Sequence, residues 1–231
     1  MDAAACRTCQ GPVRAGYAQC YQCDAASRMA GGLLADAVAL IGYAVKGGDL
    51  ARDLRVYKSV RADAAAARDR LGRMLRAFLD AHGSPVWRAA GMAAVPAALA
   101  VVPSGQGRPG DHPLLGVAAA AGLRLPQVRL LVRPEGAARG RFVSTEWLSA
   151  RGDVAGRDVL LLDDTWVSGA SAQSAAATLK LAGAARVAVV VLGRHFDPAD
   201  PRSADFVRSL ASAPCVPIGP SPLNPGQAFK T

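Results

Sequence analysis

The chain has 231 residues, 51% of them hydrophobic and 5% aromatic, with a formal net charge of +9 at pH 7. That length suggests one main domain with room for a small appendage. The apolar fraction excludes a chain disordered throughout, because disordered chains cannot bury enough apolar surface to order themselves. A pI near 9.9 points toward anionic partners, but Lys occurs only at Lys46, Lys58, Lys180 and Lys230, and Ala makes up about a fifth of the chain. An Arg-for-Lys and Ala-rich bias of this kind reflects GC-rich coding, so charge alone is weak grounds for a nucleic-acid partner.

At the start of the chain, Met1-Asp2-Ala3-Ala4-Ala5-Cys6 lacks the basic and apolar regions of a secretory signal. The most apolar stretch, 89–102, is shorter than the ~20 residues a membrane-spanning helix needs, and it contains Pro96. The expectation is a soluble, cytoplasmic protein with no membrane span. Four of the five cysteines fall in two close pairs, and in a reducing compartment such pairs indicate metal or redox chemistry rather than a disulfide framework.

Cys6-Arg7-Thr8-Cys9 and Cys20-Tyr21-Gln22-Cys23 are separated by ten residues that include the turn formers Gly11, Pro12 and Gly16. Two CxxC pairs joined by a short loop can place four thiolates at the corners of a tetrahedron, the geometry of a structural Zn2+ site. Metal binding stabilises such a segment by on the order of 10 kcal/mol. An empty or redox-active dithiol pair is the alternative. Residues 1–27 are expected to form a zinc ribbon with Cys6, Cys9, Cys20 and Cys23 as ligands, a closed staple being favoured over a ribbon that contacts nucleic acid. Cys215, alone between Pro214 and Val216, reads as a small buried residue.

Residues 25–85 read as helical, with 28–85 forming a helical connector. Leu71, Met74, Leu75, Phe78 and Leu79 follow the spacing of one buried helix face, and Arg68, Arg70, Arg73, Arg76 and Asp80 occupy the other. His82-Gly83-Ser84-Pro85 reads as the stop of that helix. From residue 86 to 231, strand and helix signals alternate. Apolar runs at 97–103, 128–132, 158–162 and 186–192 read as strands, and 113–122 and 171–183 as helices. This alternation indicates an α/β domain with a parallel sheet, in which ligands bind beyond the carboxyl ends of the strands. Residues 104–113 and the tail after Pro214 are rich in Gly and Pro and read as loops.

One run carries chemistry. Val159-Leu160-Leu161-Leu162 is followed by Asp163-Asp164, then by Thr165-Trp166-Val167-Ser168-Gly169-Ala170-Ser171. A buried strand thus delivers two carboxylates to its carboxyl end, and a hydroxyl-rich loop leads into a helix expected to begin near Ser171 or Ala172. Backbone N–H groups at a helix start attract phosphate, Gly169 allows close approach of the backbone, and paired carboxylates accept ribose hydroxyls or help hold Mg2+ through water. This run resembles the phosphoribosyl-pyrophosphate signature of type I phosphoribosyltransferases. The resemblance implies that Asp163 and Asp164 contact the ribose hydroxyls, and that Thr165, Val167, Ser168, Gly169, Ala170 and Ser171 cradle the 5-phosphate. At the two positions after the acids the family usually carries aliphatic residues, where this chain has Thr165 and Trp166.

A four-Cys ribbon, a connector and such a domain together resemble the ComF family over nearly the whole chain. Tyr43, Gly47 to Leu50 and Val56-Tyr57-Lys58 resemble that family's connector. Val101-Val102-Pro103-Ser104-Gly105 resembles its pyrophosphate loop, which implies pyrophosphate binding at Ser104 and Gly105. Arg139-Gly140-Arg141-Phe142 loosely resembles its Arg-rich segment, whereas Arg108 to Pro113 matches poorly. The resemblance implies a type I phosphoribosyltransferase fold, with phosphoribosyl pyrophosphate or a nucleotide as ligand, Mg2+ accompanying it, and structural Zn2+ in the ribbon. Arg108, Arg133, Arg139 and Arg141 are candidate cations for the leaving pyrophosphate. No catalytic acid or base is assigned to His82, His112 or His195. Two functions follow: transfer of the phosphoribosyl group to an unknown acceptor, or non-catalytic handling of single-stranded DNA with DNA-uptake proteins during natural competence. The sparse aromatics, with Trp87, Trp147 and Trp166 scattered, give little support to base stacking.

Overall fold

Runs of Val, Leu and Ala form β-strands that join into one sheet. The computed structural model describes residues 5–60, 62–104, 111–133, 140–212 and 221–222. After the cysteine-bearing segment come α1 (Tyr21–Ala30), a 3-10 turn (Gly31–Leu33), β1 (Ala37–Val45), α2 (Asp49–Val56) and α3 (Ala64–Ala89). Then follow β2 (Ala98–Val101), α4 (Pro113–Ala120), β3 (Gln127–Val132), β4 (Leu148–Arg151), β5 (Asp158–Trp166), α5 (Ala170–Leu181), β6 (Arg186–Phe196), α6 (Pro201–Ser212) and the short β7 (Ser221–Pro222). The sheet order is β4-β3-β2-β5-β6-β1-β7. The five central strands are parallel, and β4 and β7 are antiparallel edges.

The mixed α/β architecture matches the sequence expectation, with one large correction. Residues 28–85 are not helical throughout. Their β1 pairs in parallel with β6, Val38 opposite Val189 and Leu40 opposite Val191, so this segment supplies a strand of the main sheet. The expected helix stop at Gly83-Ser84-Pro85 also fails, since α3 runs on to Ala89 with Pro85 inside it. Proline removes one backbone hydrogen bond there, but Phe78, Gly83 and Val86 are all buried on the core side, and that packing outweighs the local signal. Strands β5 and β6 extend four residues beyond their expected ends, and β4 and α6 carried no sequence reading. Cys215, Gly105 and most of the loop after Ser104 lie outside the described residues.

Strands β5 and β6 and the first half of β1 are buried on both faces, so their alternate residues feed two cores, whereas β3 exposes alternate residues. On one face Val159 and Leu161 meet Ala172, Ala175 and Leu179 of α5, together with Cys6, Cys9 and Cys23. On the other, Leu160 and Leu162 meet Leu54 and Tyr57 at α2, Leu71 and Leu75 of α3, and Leu114 and Val117 of α4. Truncating such a Leu to Ala costs about 2–5 kcal/mol. Helix α2 is clamped to α3 by a two-pronged contact: Arg70 Nε and Nη2 donate to Asp53 Oδ2 and Oδ1 at 2.8 and 2.7 Å. That hydrogen-bonded guanidinium holds the Asp53 carboxyl below its ordinary range. No helix among the described residues is long and apolar enough to cross a membrane.

Helices α3 and α4 approach closely at Gly72, where a Cβ would lie 2.6 Å from Ala120 Cβ and 3.1 Å from the Ala120 carbonyl carbon. Gly72→Ala gains about 1 kcal/mol of helix propensity but overpacks this contact. Against an overpacking cost of about 1–3 kcal/mol, the net should be a destabilisation of up to about 2 kcal/mol, read as a lowered urea midpoint. Gly116→Ala, whose Cβ meets only Arg68 Cδ at 3.5 Å, is the control and should be neutral or stabilising.

Candidate functional site

From β2 the chain proceeds to β3 on one side and later to β5 on the other. The carboxyl ends of β2 and β5 therefore flank a topological switch point, where open parallel sheets bind ligands. Val101 pairs with Leu162, and Val102 N–H donates to the Leu162 carbonyl at 2.9 Å. Register thus brings the β2 end, leading to Pro103 and Ser104, alongside the end of β5 that carries Asp163 and Asp164.

Asp163 and Asp164 are each only 8% exposed. Successive residues of a strand face opposite sides of the sheet, and Asp164 takes the α2 side. There its Oδ2 accepts the hydroxyl of Tyr57, itself buried, and pairs with the Lys58 ammonium. On Asp163, Oδ1 accepts the backbone N–H of Asp164 at 2.9 Å. A lone buried carboxylate is costly; here a phenol and an ammonium from the end of α2 offset that cost. Neither Tyr57 nor Lys58 was assigned to the site from sequence. They entered only as part of the Val56-Tyr57-Lys58 likeness, although a Tyr-Lys doublet closing an amphipathic helix was the available signal.

Beyond Trp166 the chain turns through exposed Val167, half-buried Ser168 and Gly169 into α5, which begins at Ala170, a residue or two before expectation. Gly169 sits at the helix N-cap with φ of 83° and offers no side-chain cap. Among the first N–H groups of α5, that of Ala170 meets Ser168 Oγ at 3.3 Å. The N-terminus of a helix carries partial positive charge and N–H donors that attract anions, and here it is reached over exposed Val167 and half-buried Ser168. A Cβ on Gly169 would fall 2.1 Å from Cζ2 of the Trp166 indole, so both the backbone angle and the ring beneath the loop require glycine. The ring is 1% exposed, and its Nε1–H has no partner among the described residues.

A cavity of about 590 Å3 opens beside the Asp164–Lys58 pair. Its polar lining comes from Lys46, Arg55, Lys58, Thr165, His195 and Asp197, over apolar Ala44 and Leu54. Lys46 pairs with Asp197 at 2.7 Å, and that hydrogen bond, aided by the Ala199 N–H, holds the Asp197 carboxyl below its ordinary range. The wall is therefore cationic on balance.

The four cysteines converge on the α5 face. Their sulfurs lie within 4.8 Å of one another, all four are free, and Cys6, Cys9 and Cys23 are buried. Cys9 Sγ and Cys20 Sγ are 3.7 Å apart, which suits a tetrahedron of Zn–S bonds near 2.3 Å, whose edges are roughly 3.8 Å. The backbone N–H of Cys20 donates to Cys6 Sγ at 3.3 Å. Crowded together, the thiols do not titrate alike. Hydrogen bonds led by Cys23 pull Cys20 down to about 7, and Cys6 is also lowered, mainly by Cys20. Hydrogen bonding from Cys20 instead raises Cys9 and Cys23. The donor set fits a structural Zn2+.

The other sequence candidates are dispersed. Arg133 Nε donates to the Leu148 carbonyl at 2.8 Å, tying β3 to β4, and Arg141 is exposed. Arg108 and Arg139 lie outside the described residues. His112 caps α4, accepting the Leu114 N–H at 3.2 Å. His82 stacks on Phe78 at 5.1 Å inside α3 rather than at its end. His195 lines the cavity.

No protein-family model matches the sequence, and no curated protein matches it. Among solved structures, the chain is similar to a phosphoribosyltransferase from Corynebacterium diphtheriae, with 19% identity over 70% of this chain and 90% of the other and a TM-score of 0.36. It is also similar to an orotate phosphoribosyltransferase from Mycobacterium tuberculosis, at 20% identity over 71% of this chain and 74% of the other and a TM-score of 0.32. A phosphoribosylpyrophosphate synthetase from Mycobacterium smegmatis is 20% identical over 57% of this chain, with a TM-score of 0.33, and the matched part is 36% of that protein's length.

Removing the Tyr57 hydroxyl leaves buried Asp164 one donor short. Tyr57→Phe should cost about 1–3 kcal/mol, measured by urea unfolding, while preserving the far-UV circular dichroism spectrum.

Proposed function

We propose that the chain binds phosphoribosyl pyrophosphate, with Mg2+, across the ends of β2 and β5, and transfers its phosphoribosyl group. The observation that carries this reading is the delivery of the α5 N-terminus and two buried carboxylates to one switch point. The 5-phosphate takes the N–H groups from Val167 to Ser171, with hydroxyls from Thr165, Ser168 and Ser171. Asp163 and Asp164 take ribose hydroxyls and would help hold Mg2+, which would supply charge for the leaving group. Ser104 and Gly105 take the pyrophosphate. In the transfer an acceptor's lone pair forms the new bond to C1 as the C1–oxygen bond breaks, and the electron pair leaves with pyrophosphate. The cavity beside Lys58 suits the acceptor, and its cationic wall favours an anionic one. Zn2+ in the cysteine cluster is structural.

A second reading, single-stranded DNA handling by a ComF-like protein, draws support from one observation. Tyr17 and Tyr21 are 68% and 69% exposed on the cysteine-bearing segment, which also exposes Arg7 and Arg14. Aromatic rings among cations are what single-strand binders use.

Calorimetric titration of the zinc-loaded chain with phosphoribosyl pyrophosphate and Mg2+ tests the first reading. Binding is expected in the wild type and absent in the Asp163→Asn, Asp164→Asn double variant, with its fold retained. No binding to the wild type, or undiminished binding in the variant, overturns the assignment. An oligonucleotide titration separates the second reading: contact through the ribbon predicts a steep loss of affinity with salt and weakened binding in Tyr17→Ala, Tyr21→Ala.

A further inference from the structure

Arg194, near the end of β6, lies between the cysteine cluster and the loop after β5. Its Nη1 donates to the carbonyls of Trp166 at 2.9 Å and Val167 at 2.6 Å, and reaches the His195 carbonyl at 3.4 Å. Its other edge faces Gly11. A Cβ on that glycine would lie 3.0 Å from Arg194 Nη2, 3.3 Å from Arg194 Nε and 3.4 Å from Cys9 Sγ. The guanidinium also stacks on Phe196 at 4.9 Å. Two buried side-chain donors among the described residues have no partner, Arg194 Nε and Trp166 Nε1, and both belong to this junction.

The peptide bond is planar and trans, so its C=O and N–H point in opposite directions. Fixing the carbonyls of Trp166 and Val167 against Arg194 therefore turns the N–H groups of Val167 and Ser168 away from it, as donors of the loop. On the opposite edge, zinc binding converts thiols to thiolates and gives a tetrathiolate site a formal charge of −2, by +2 for the ion and −4 for the sulfurs. That charge draws the guanidinium to one position.

We propose that Arg194 is a positioning residue that couples the cysteine cluster to the anion-binding loop, so that zinc occupancy sets the order and the phosphate affinity of Val167 and Ser168. The ligand half of this statement rests on the function proposed above; the coupling itself does not. Linkage is reciprocal, so phosphate in the loop must also tighten zinc.

The test uses the full chain, zinc-loaded and chelator-stripped, with zinc content measured directly. Amide hydrogen exchange at Val167 and Ser168, and Trp166 emission in a Trp87→Phe, Trp147→Phe background, report the loop without any ligand. Inorganic phosphate and phosphoribosyl pyrophosphate are then titrated. The expected result is slower exchange and about tenfold tighter phosphate binding in the zinc form, with phosphate slowing zinc transfer to a chelator. Arg194→Met should keep its zinc yet lose these differences. Arg194→Lys, which retains charge without the fork, should restore them only partly. If Arg194→Met does not fold, Gly11→Ala displaces the guanidinium and must weaken the same differences. Zinc-dependent exchange in a chain that binds no phosphate would support the coupling and sink the ligand reading alone. Loop exchange and emission indifferent to zinc in a folded chain, or zinc dependence undiminished in Arg194→Met, would overturn the coupling.

Discussion

A carboxylate at the centre of a sheet must be met by charge and hydrogen bonds or it loses its ionisation. Asp164 is in that position, and much of the α2 face is arranged around meeting it. Tyr57 and Lys58 reach it from α2, which packs on β1 and β6 and is fixed to α3 through Asp53 and Arg70. Helix α3 is in turn seated by Leu71, Leu75 and Phe78, and by the close approach of Gly72 to α4. The position of one buried charge thus depends on a chain of contacts that extends to the far side of the helical layer.

Much of this was legible in the sequence. The apolar runs of β2, β5 and β6 have no helical period, and they alternate with Ala-rich segments in the manner of a parallel α/β sheet. Strand β1 was missed because Ala37-Val38-Ala39-Leu40 is half Ala, which favours helix over strand. What decides the matter is β6, about 150 residues away, which offers a partner on which to pair. The site divides in the same way. Asp163, Asp164 and Gly169 are contiguous and announce themselves by pattern. The partners Tyr57, at a separation of 107 residues, and Arg194, at 27, come to the site only through topology.

The charge also has an organisation that composition hides. Many arginines make pairs within one helix or turn, such as Arg28 with Asp24 and Arg76 with Asp80, and exposed pairs of this kind contribute little. The three described lysines behave differently. Lys46, Lys58 and Lys180 each join separate elements, through Asp197, Asp164 and Asp36. A compact ammonium suits a single carboxylate oxygen where a planar fork does not fit.

The pairing of β1 with β6 bears on how the chain is made. Ala37 emerges from synthesis 151 residues before its partner Ala188, an interval of roughly 8 to 30 s at ordinary elongation rates. Through that time a nine-residue apolar strand has no neighbour on its β6 side, and the other edge of β1 waits longer still for β7. Long-range pairings of this kind are slow to form and prone to association meanwhile. During the 151 residues that separate Ala37 from Ala188, β1 therefore stays open on its β6 side as the chain is made.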